Sequence, residues 1–132
     1  MIPLRDYRPS GSIPYVTFSL IIINGLVFLY QQILGPQPIF TPLGRITREE
    51  LFILQYGLRP YEFIHSTDIW PQNPLPLWTA LFTSMFLHGG IWHLGGNMLY
   101  LWIFGDNVEG AMGHLRFLIF YLVCGTIAAL SQ

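Results

Sequence analysis

The stretch TSMFLHGGIWHLGGNMLYLWIFGDNVEGAMGH, residues 83–114, places polar side chains in one of the most apolar parts of the chain. His88, His93 and Asn97 stand among leucines, tryptophans and glycines, with no charged residue before Asp106. In hydrocarbon each such side chain costs free energy unless it has a partner. These three residues therefore need a structural or a chemical reason.

The composition is that of a membrane protein. Hydrophobic residues make up 52% of the 132 residues and charged residues only 10%, against about 25% charged in an average soluble domain. No charged residue lies between Arg8 and Arg45, or between Asp68 and Asp106. The net charge of -1 and the lack of lysine argue against a nucleic-acid partner. Cys124 is the single cysteine, which excludes an intrachain disulfide.

Three apolar segments approach the length of about 20 residues that a bilayer requires. They are residues 13–34, 77–104 and 115–132. In the third, the uncharged run from Phe117 to Leu130 gives about 21 Å of helix against a hydrocarbon core of about 30 Å, so this span looks short. We predict an all-α polytopic membrane helix bundle that occupies residues 1–132 as one domain.

The loop between the first two spans, residues 35–76, is predicted to contain a short amphipathic helix. Thr47 and Glu50 form a capping-box pattern, Gly57 offers a stop, and three leucines fall on one helical face, Leu51, Leu54 and Leu58. The segment DIWPQNPLPLW, residues 68–78, is interpreted as irregular and interfacial, because tryptophan favours the membrane interface. A solvated connector is the alternative.

The arginines give only a weak orientation signal. Arg5 and Arg8 precede the first span and Arg116 follows the second, while three arginines occupy the long loop, Arg45, Arg48 and Arg59. Positive charges close to a span end count more than charges in a long loop. We therefore predict a cytoplasmic N-terminus, cytoplasmic residues 106–116 and an external loop.

His93 and Asn97 have the spacing of neighbours on one helical face. At i and i+4 their Cβ atoms would lie about 5 to 6 Å apart, so both could donate hydrogen bonds to one point. That geometry suits an oxyanion hole, in which neutral donors stabilise the negative oxygen of a tetrahedral intermediate. Interhelical hydrogen bonding is the alternative, and spacing alone favours it. Four nearby glycines are expected to let a neighbouring backbone approach closely: Gly89, Gly90, Gly95 and Gly96.

A metal or haem site is a weaker interpretation. His88 and His93 are five residues apart and no acidic residue lies between them, unlike the histidine pair of a zinc helix. Three residues could complete a site at the helix end, although a hydrated cluster explains them equally well: His114, Glu109 and Asp106. Two haem-binding histidines must face each other across a bundle, and no spacing here demands that. We expect no metal and no cofactor.

The stretch FLHGGIWHLGGNMLYLWIFGDNVEGAMGHLRFLIFYLVCG, residues 86–125, resembles the second and third transmembrane segments of bacterial rhomboid intramembrane serine proteases. The resemblance lies in two histidines, an Asn-Met pair and the sequence Gly-Asp-Asn-Val-Glu. MIPLRDYRP, PYVTFSLIIIN and YGLRPYEF resemble further parts of that family, so the likeness covers nearly the whole chain. It implies a partial rhomboid fold with three spans and an interfacial loop.

The resemblance also implies roles for individual residues. His93 and Asn97 would be the oxyanion-stabilising catalytic pair, Glu109 would belong to a polar network at the foot of the second helix, and His88 would be structural. Close helix packing would occur at Gly105 and Gly125. The family cleaves transmembrane segments of protein substrates without a metal. The implied location is the bacterial cytoplasmic membrane.

The chain departs from the family pattern at the nucleophile and the base. The family uses a serine in Gly-x-Ser-Gly and a later histidine, but no serine here has that context and no histidine follows His114. Ser84 with His88 is a poor substitute. A hydroxyl needs a base to become a nucleophile, so we expect an inactive N-terminal fragment of a serine endopeptidase. The alternative is a catalytically dead relative that binds transmembrane segments.

Overall fold

The chain, a computed structural model, is described for residues 11–42 and 44–131. Arg5 and Arg8, which carry the orientation prediction, lie outside this part. The described residues are mainly helical, and this confirms the predicted helical fold class. The helices are α1 (Tyr15–Leu34), α2 (Arg48–Tyr56), α3 (Pro60–His65), α4 (Ala80–Thr83), α5 (Ile91–Tyr100), α6 (Asp106–Met112) and α7 (His114–Leu130); the strands are β1 (Pro38–Thr41) and β2 (Gly44–Thr47).

The chain divides into two compact units, and each is described by itself. The first combines the described residues up to Leu26 with His88–Val123. The second combines Val27–Leu87 with the described residues from Cys124 onward. All candidate site residues therefore belong to the first unit, and the long loop belongs to the second.

Helix α1 buries polar side chains and exposes apolar ones. Thr17, Asn24 and Gln31 recur every seven residues and are at most 1% exposed, whereas Ile22 and Ile33 are 59% and 72% exposed. A helix in water would show the opposite pattern, but one whose outer face meets lipid keeps its polar groups inside. Among the described helices, only α1 is long and apolar enough to cross a membrane by itself.

The second predicted span, residues 77–104, is not one continuous helix. It begins with short helical turns up to Phe86, and the backbone is then extended at Leu87 (φ -89°, ψ 136°) and at Gly90 (φ 168°, ψ 167°). Each glycine of the Gly89-Gly90 pair disfavours helix by about 1 kcal/mol relative to alanine, which explains the break.

The helical structure also continues past residue 104, the predicted end of that span, and the span boundary itself stays a prediction. After the break, α5, a π-helical turn at Leu101–Gly105 and α6 follow without interruption from Ile91 to Met112. The helical stretch ends where Gly113 takes a positive φ of 83°, a conformation that favours glycine. Helix α7 then covers most of the third predicted span and is 17 residues long.

The predicted capping box of the loop helix is confirmed. The Thr47 hydroxyl accepts from the Glu50 backbone N–H at 3.1 Å, and the Glu50 carboxylate accepts from the Thr47 N–H at 2.7 Å. Gly57 follows the last turn of α2 as expected. The leucine face is less complete, because Leu54 is exposed and Leu58 lies beyond the end of the helix.

Two small elements of the loop were not predicted. Strands β1 and β2 form an antiparallel hairpin in which Ile39 pairs with Ile46, so one β element accompanies the helices. Pro60 occupies the first turn of α3, where its missing N–H costs no hydrogen bond. Both elements are short, and neither has enough residues to show a clear hydrophobic period.

The irregular segment before the second span is held by an ion pair. The Arg59 guanidinium contacts Glu62 at 2.8 Å and donates to the carbonyl oxygens of Ile69 at 3.1 Å and Pro71 at 2.7 Å. The buried Glu62 carboxylate also accepts from the Ile69 N–H at 2.7 Å. These bonds order a stretch without regular secondary structure. Its interfacial location stays a prediction.

Two glycines of the first unit give a matched test of packing. A Cβ on Gly105 would lie 2.7 Å from Cγ2 of Thr17, whereas a Cβ on Gly96 would meet no described atom within 4 Å. We expect Gly105→Ala to lower the free energy of unfolding by about 1 to 3 kcal/mol, the usual cost of overpacking. Gly96→Ala should be neutral or stabilising, because alanine favours helix. Thermal unfolding in detergent micelles checks this, and equal melting temperatures would contradict the packing.

Candidate functional site

His93 and Asn97 lie one turn apart on α5. Both side chains are exposed, and Leu94 between them is buried at 8% exposure. The helix therefore packs through Leu94 and leaves the histidine and the asparagine open to an incoming group. The predicted helical spacing of the pair is present, whereas its role in catalysis stays a prediction.

His88 joins this pair from the segment before α5. Its ring is buried at 2% exposure, and its Nε2 atom lies 3.1 Å from Nδ2 of Asn97. The rings of His88 and His93 are also in contact, with centroids 5.3 Å apart at an angle of 69°. The resemblance implies a structural role for His88, separate from the pair, whereas the three side chains form one cluster.

The glycines around this cluster do not have the predicted role. At Gly89, Gly90, Gly95 and Gly96 a Cβ would meet nothing within 4 Å in the part of the chain that the structure describes. The surface beside His93 and Asn97 is thus open. Close packing occurs instead at the other predicted glycine positions, Gly105 and Gly125, where a Cβ on Gly125 would lie 2.5 Å from Sδ of Met85.

A π-helical turn follows the cluster directly. It occupies Leu101–Gly105, between Asn97 and the next buried polar group, Glu109. Such turns are rare in proteins overall, but those that occur are often found at functional sites. The twelve residues from Asn97 to Glu109 correspond to about 18 Å along a helix, so the two groups lie in separate parts of the first unit.

Glu109 binds the first turn of α1. Its carboxylate accepts from the N–H groups of Val16 at 2.8 Å and Thr17 at 2.7 Å, and from the Thr17 hydroxyl at 2.7 Å. His114 Nδ1 lies 2.5 Å from the same carboxylate. The first N–H groups of a helix have no partner within it and attract negative charge. Glu109 therefore caps α1 from a distant part of the sequence.

The Glu109 carboxyl is 1% exposed, and its environment changes its acidity. Burial alone raises its pKa, but the hydrogen bonds from His114, Thr17 and the Val16 N–H outweigh burial and hold the pKa below its ordinary value. The group is consequently held as a carboxylate at neutral pH. Its task is to accept hydrogen bonds rather than to exchange protons.

The weaker site interpretations find little support in the contacts. The Ser84 hydroxyl donates to the Leu81 carbonyl at 3.4 Å. Within residues 11–42 and 44–131, no three His, Cys, Asp or Glu side chains are placed to hold a metal ion. The expectation of no metal and no cofactor stays a prediction.

Comparisons with known proteins agree with the resemblance. The family model described as Rhomboid domain matches residues 76–132, which contain the whole cluster and Glu109. Rhomboid protease AarA of Providencia stuartii is 31% identical over 115 residues, covering 87% of this chain and 35% of that protein. Rhomboid protease GluP of Bacillus subtilis is 43% identical over 55 residues, covering 42% of this chain and 11% of that protein.

These matches cover only part of the length of each relative. The chain spans about a third of the length of the first relative and about a tenth of the second. No solved structure matches the chain. The family model and both relatives nevertheless name the same family, and the chain therefore belongs to the rhomboid family.

Proposed function

We propose that this chain carries the oxyanion-binding part of an intramembrane serine endopeptidase that cleaves transmembrane segments of other proteins. One observation carries the proposal: His93 and Asn97 lie exposed, one turn apart, on an open face of α5 within the family-matched residues. Both relatives are named as rhomboid proteases, which supports the reaction class.

The chemistry assigned to the pair is electrostatic. Attack on a peptide carbonyl places a negative charge on its oxygen, and donors already in position stabilise that charge without reorganisation. An amide N–H of Asn97 and a ring N–H of His93 are such donors. The protein substrate is a membrane-spanning segment, and the lipid bilayer is the second partner.

The nucleophile and the base must come from outside these 132 residues in this proposal. None of the serines stands in Gly-x-Ser-Gly, and the last histidine is His114, which is bonded to Glu109. We therefore expect the purified chain to leave a model transmembrane substrate intact. The gene's whole reading-frame product should cleave it, and a frame without those residues would favour the binding-protein alternative.

The chain is expected to be an integral membrane protein. Helix α1 is apolar, and it buries the polar residues Thr17, Asn24 and Gln31 while many of its apolar side chains are exposed. We expect the chain to stay in the membrane pellet after extraction of bacterial membranes with alkaline carbonate. A peripheral membrane protein treated in parallel should be released, and release of this chain as well would contradict the proposed location.

The proposed orientation has the N-terminus and residues 106–116 on the cytoplasmic side of the bacterial inner membrane. Single cysteines at Gln72 and at Ala111, both exposed, test it after Cys124 is replaced. Gly113 is unsuitable because its positive φ would strain a side chain. An impermeant thiol reagent added to intact cells should label position 72 and spare position 111, and the reverse pattern would invert the topology.

A further inference from the structure

The buried ring of His88 touches both residues of the proposed oxyanion pair. Its Nε2 atom lies 3.1 Å from Nδ2 of Asn97, and its ring meets the His93 ring nearly edge to face. His88 is 2% exposed, whereas the other two are open. The buried His88 side chain thus restricts the orientations of the exposed Asn97 and His93 side chains.

The short contact bears on the tautomer of His88, because the structure turns the amide nitrogen of Asn97, and not its oxygen, toward the ring. The nitrogen of a side-chain amide is a donor only, so the ring nitrogen that faces it must be an acceptor. A histidine that accepts at Nε2 is neutral and has its proton on Nδ1. The Asn97 amide gives one N–H to His88 and retains a second N–H for another acceptor.

The backbone before α5 helps to fix the position of the His88 ring. His88 lies in the break before α5, between the extended backbone of Leu87 and that of Gly90. Its ring is therefore placed independently of the α5 axis. A catalytic group works best when neighbouring packing and hydrogen bonds lock its rotamer.

We propose that His88 is a positioning residue, which as a neutral imidazole with its proton on Nδ1 orients the Asn97 amide and the His93 ring toward the oxyanion. The role in catalysis rests on the proposed function, whereas the contact itself does not. His88 does not touch the reacting atoms, and it acts through the two donors.

The first test uses nitrogen NMR of the 132-residue chain in detergent micelles at neutral pH. The His88 Nε2 resonance should be that of an unprotonated ring nitrogen, and of the two resolved Asn97 side-chain protons the one bonded to His88 should exchange more slowly. A protonated Nε2 in the folded chain overturns the proposal. This measurement uses the wild-type chain, so its result does not depend on whether any variant folds.

The second test compares three variants. In His88→Leu, exchange of the Asn97 amide protons should accelerate about fivefold or more, the factor expected for one lost hydrogen bond. In His88→Gln, the side-chain oxygen can still accept from Asn97 and the slow exchange should largely return. His65→Leu is the control, because the exposed His65 ring contacts Tyr61 and lies outside the cluster of His88, His93 and Asn97. Unchanged Asn97 signals in folded His88→Leu overturn the proposal.

The third test separates this inference from the proposed function. In the active reading-frame product, His88→Leu should lower kcat about tenfold to a hundredfold with little change in KM, because misplaced donors act on the chemical step. His88→Gln should recover most of the rate. If the NMR contact is present but neither His88→Leu nor Asn97→Ala changes kcat, the proposed function fails. If Asn97→Ala alone lowers kcat, the positioning role fails.

Discussion

Asn97→Ala is expected to lower the turnover rate of the active reading-frame product by about a hundredfold or more. Removal of one oxyanion donor costs about 2.7 to 4 kcal/mol of transition-state stabilisation. The fold should survive, because one interhelical hydrogen bond in a membrane is worth only about 0.6 to 2 kcal/mol. Cleavage of a model transmembrane substrate and thermal unfolding are measured on the same preparation. His93→Ala should act in the same direction.

The contact with His88 makes the packing interpretation of Asn97 a definite alternative. If the amide serves only to satisfy the buried His88 ring, its loss should lower the melting temperature and leave the rate per folded molecule unchanged. Asn107→Ala is the matched control, since Asn107 lies on the same helical stretch and its amide donates to the Ile103 carbonyl within that stretch, at 3.5 Å. A change of rate in Asn107→Ala equal to that in Asn97→Ala would withdraw the catalytic assignment.

Local signals predicted the parts of the fold that depend on neighbouring residues. The capping box needs only Thr47 and Glu50, three residues apart, and the helical face of His93 and Asn97 needs only a spacing of four. Both are present. The span of α1 was likewise visible, because a run of apolar residues is a property of the sequence itself.

Other features depend on contacts between distant residues, which no local pattern contains. The family resemblance implied a polar network for Glu109, but its partners Val16 and Thr17 lie more than ninety residues away. A glycine leaves room for another segment to pack closely, yet the sequence does not show whether a segment packs there. Gly105 and Gly125 have one, whereas Gly95 and Gly96 meet open space. The hydrogen-bond contact between His88 and Asn97 was not predicted for the same reason.

The second large effect is expected at Glu109, on stability rather than on chemistry. Glu109→Ala removes the acceptor of two backbone N–H groups, one hydroxyl and one ring nitrogen at a buried position. Buried donors without a partner are costly, so the free energy of unfolding should fall by about 3 kcal/mol or more. Thermal unfolding of the 132-residue chain in micelles measures this loss.

Glu49→Ala is the matched control for that loss. Glu49 is also a glutamate near a helix start, but it is partly exposed and its carboxylate accepts an exposed hydrogen bond from Gln32 at 3.1 Å. We expect a change within about 0.5 kcal/mol, as for most surface substitutions. If Glu109→Ala and Glu49→Ala lower the melting temperature equally, the carboxylate does not hold the start of α1.

The pH dependence of the same site has a definite sign. Because the folded-state pKa of Glu109 lies below its ordinary value of 4.5, the ionised group stabilises the fold above that value. The contribution is lost as the pH falls through the lower, folded-state pKa. Glu109→Gln keeps the shape of the side chain but cannot ionise, so the stability gap between wild type and this variant should be wide at neutral pH. The gap should narrow on acidification below about pH 4.5, because protonation of the wild-type carboxyl removes the charge that the variant already lacks. A gap of constant width across this range would show that the charge of Glu109 contributes nothing to holding α1, and that only the shape of the side chain matters.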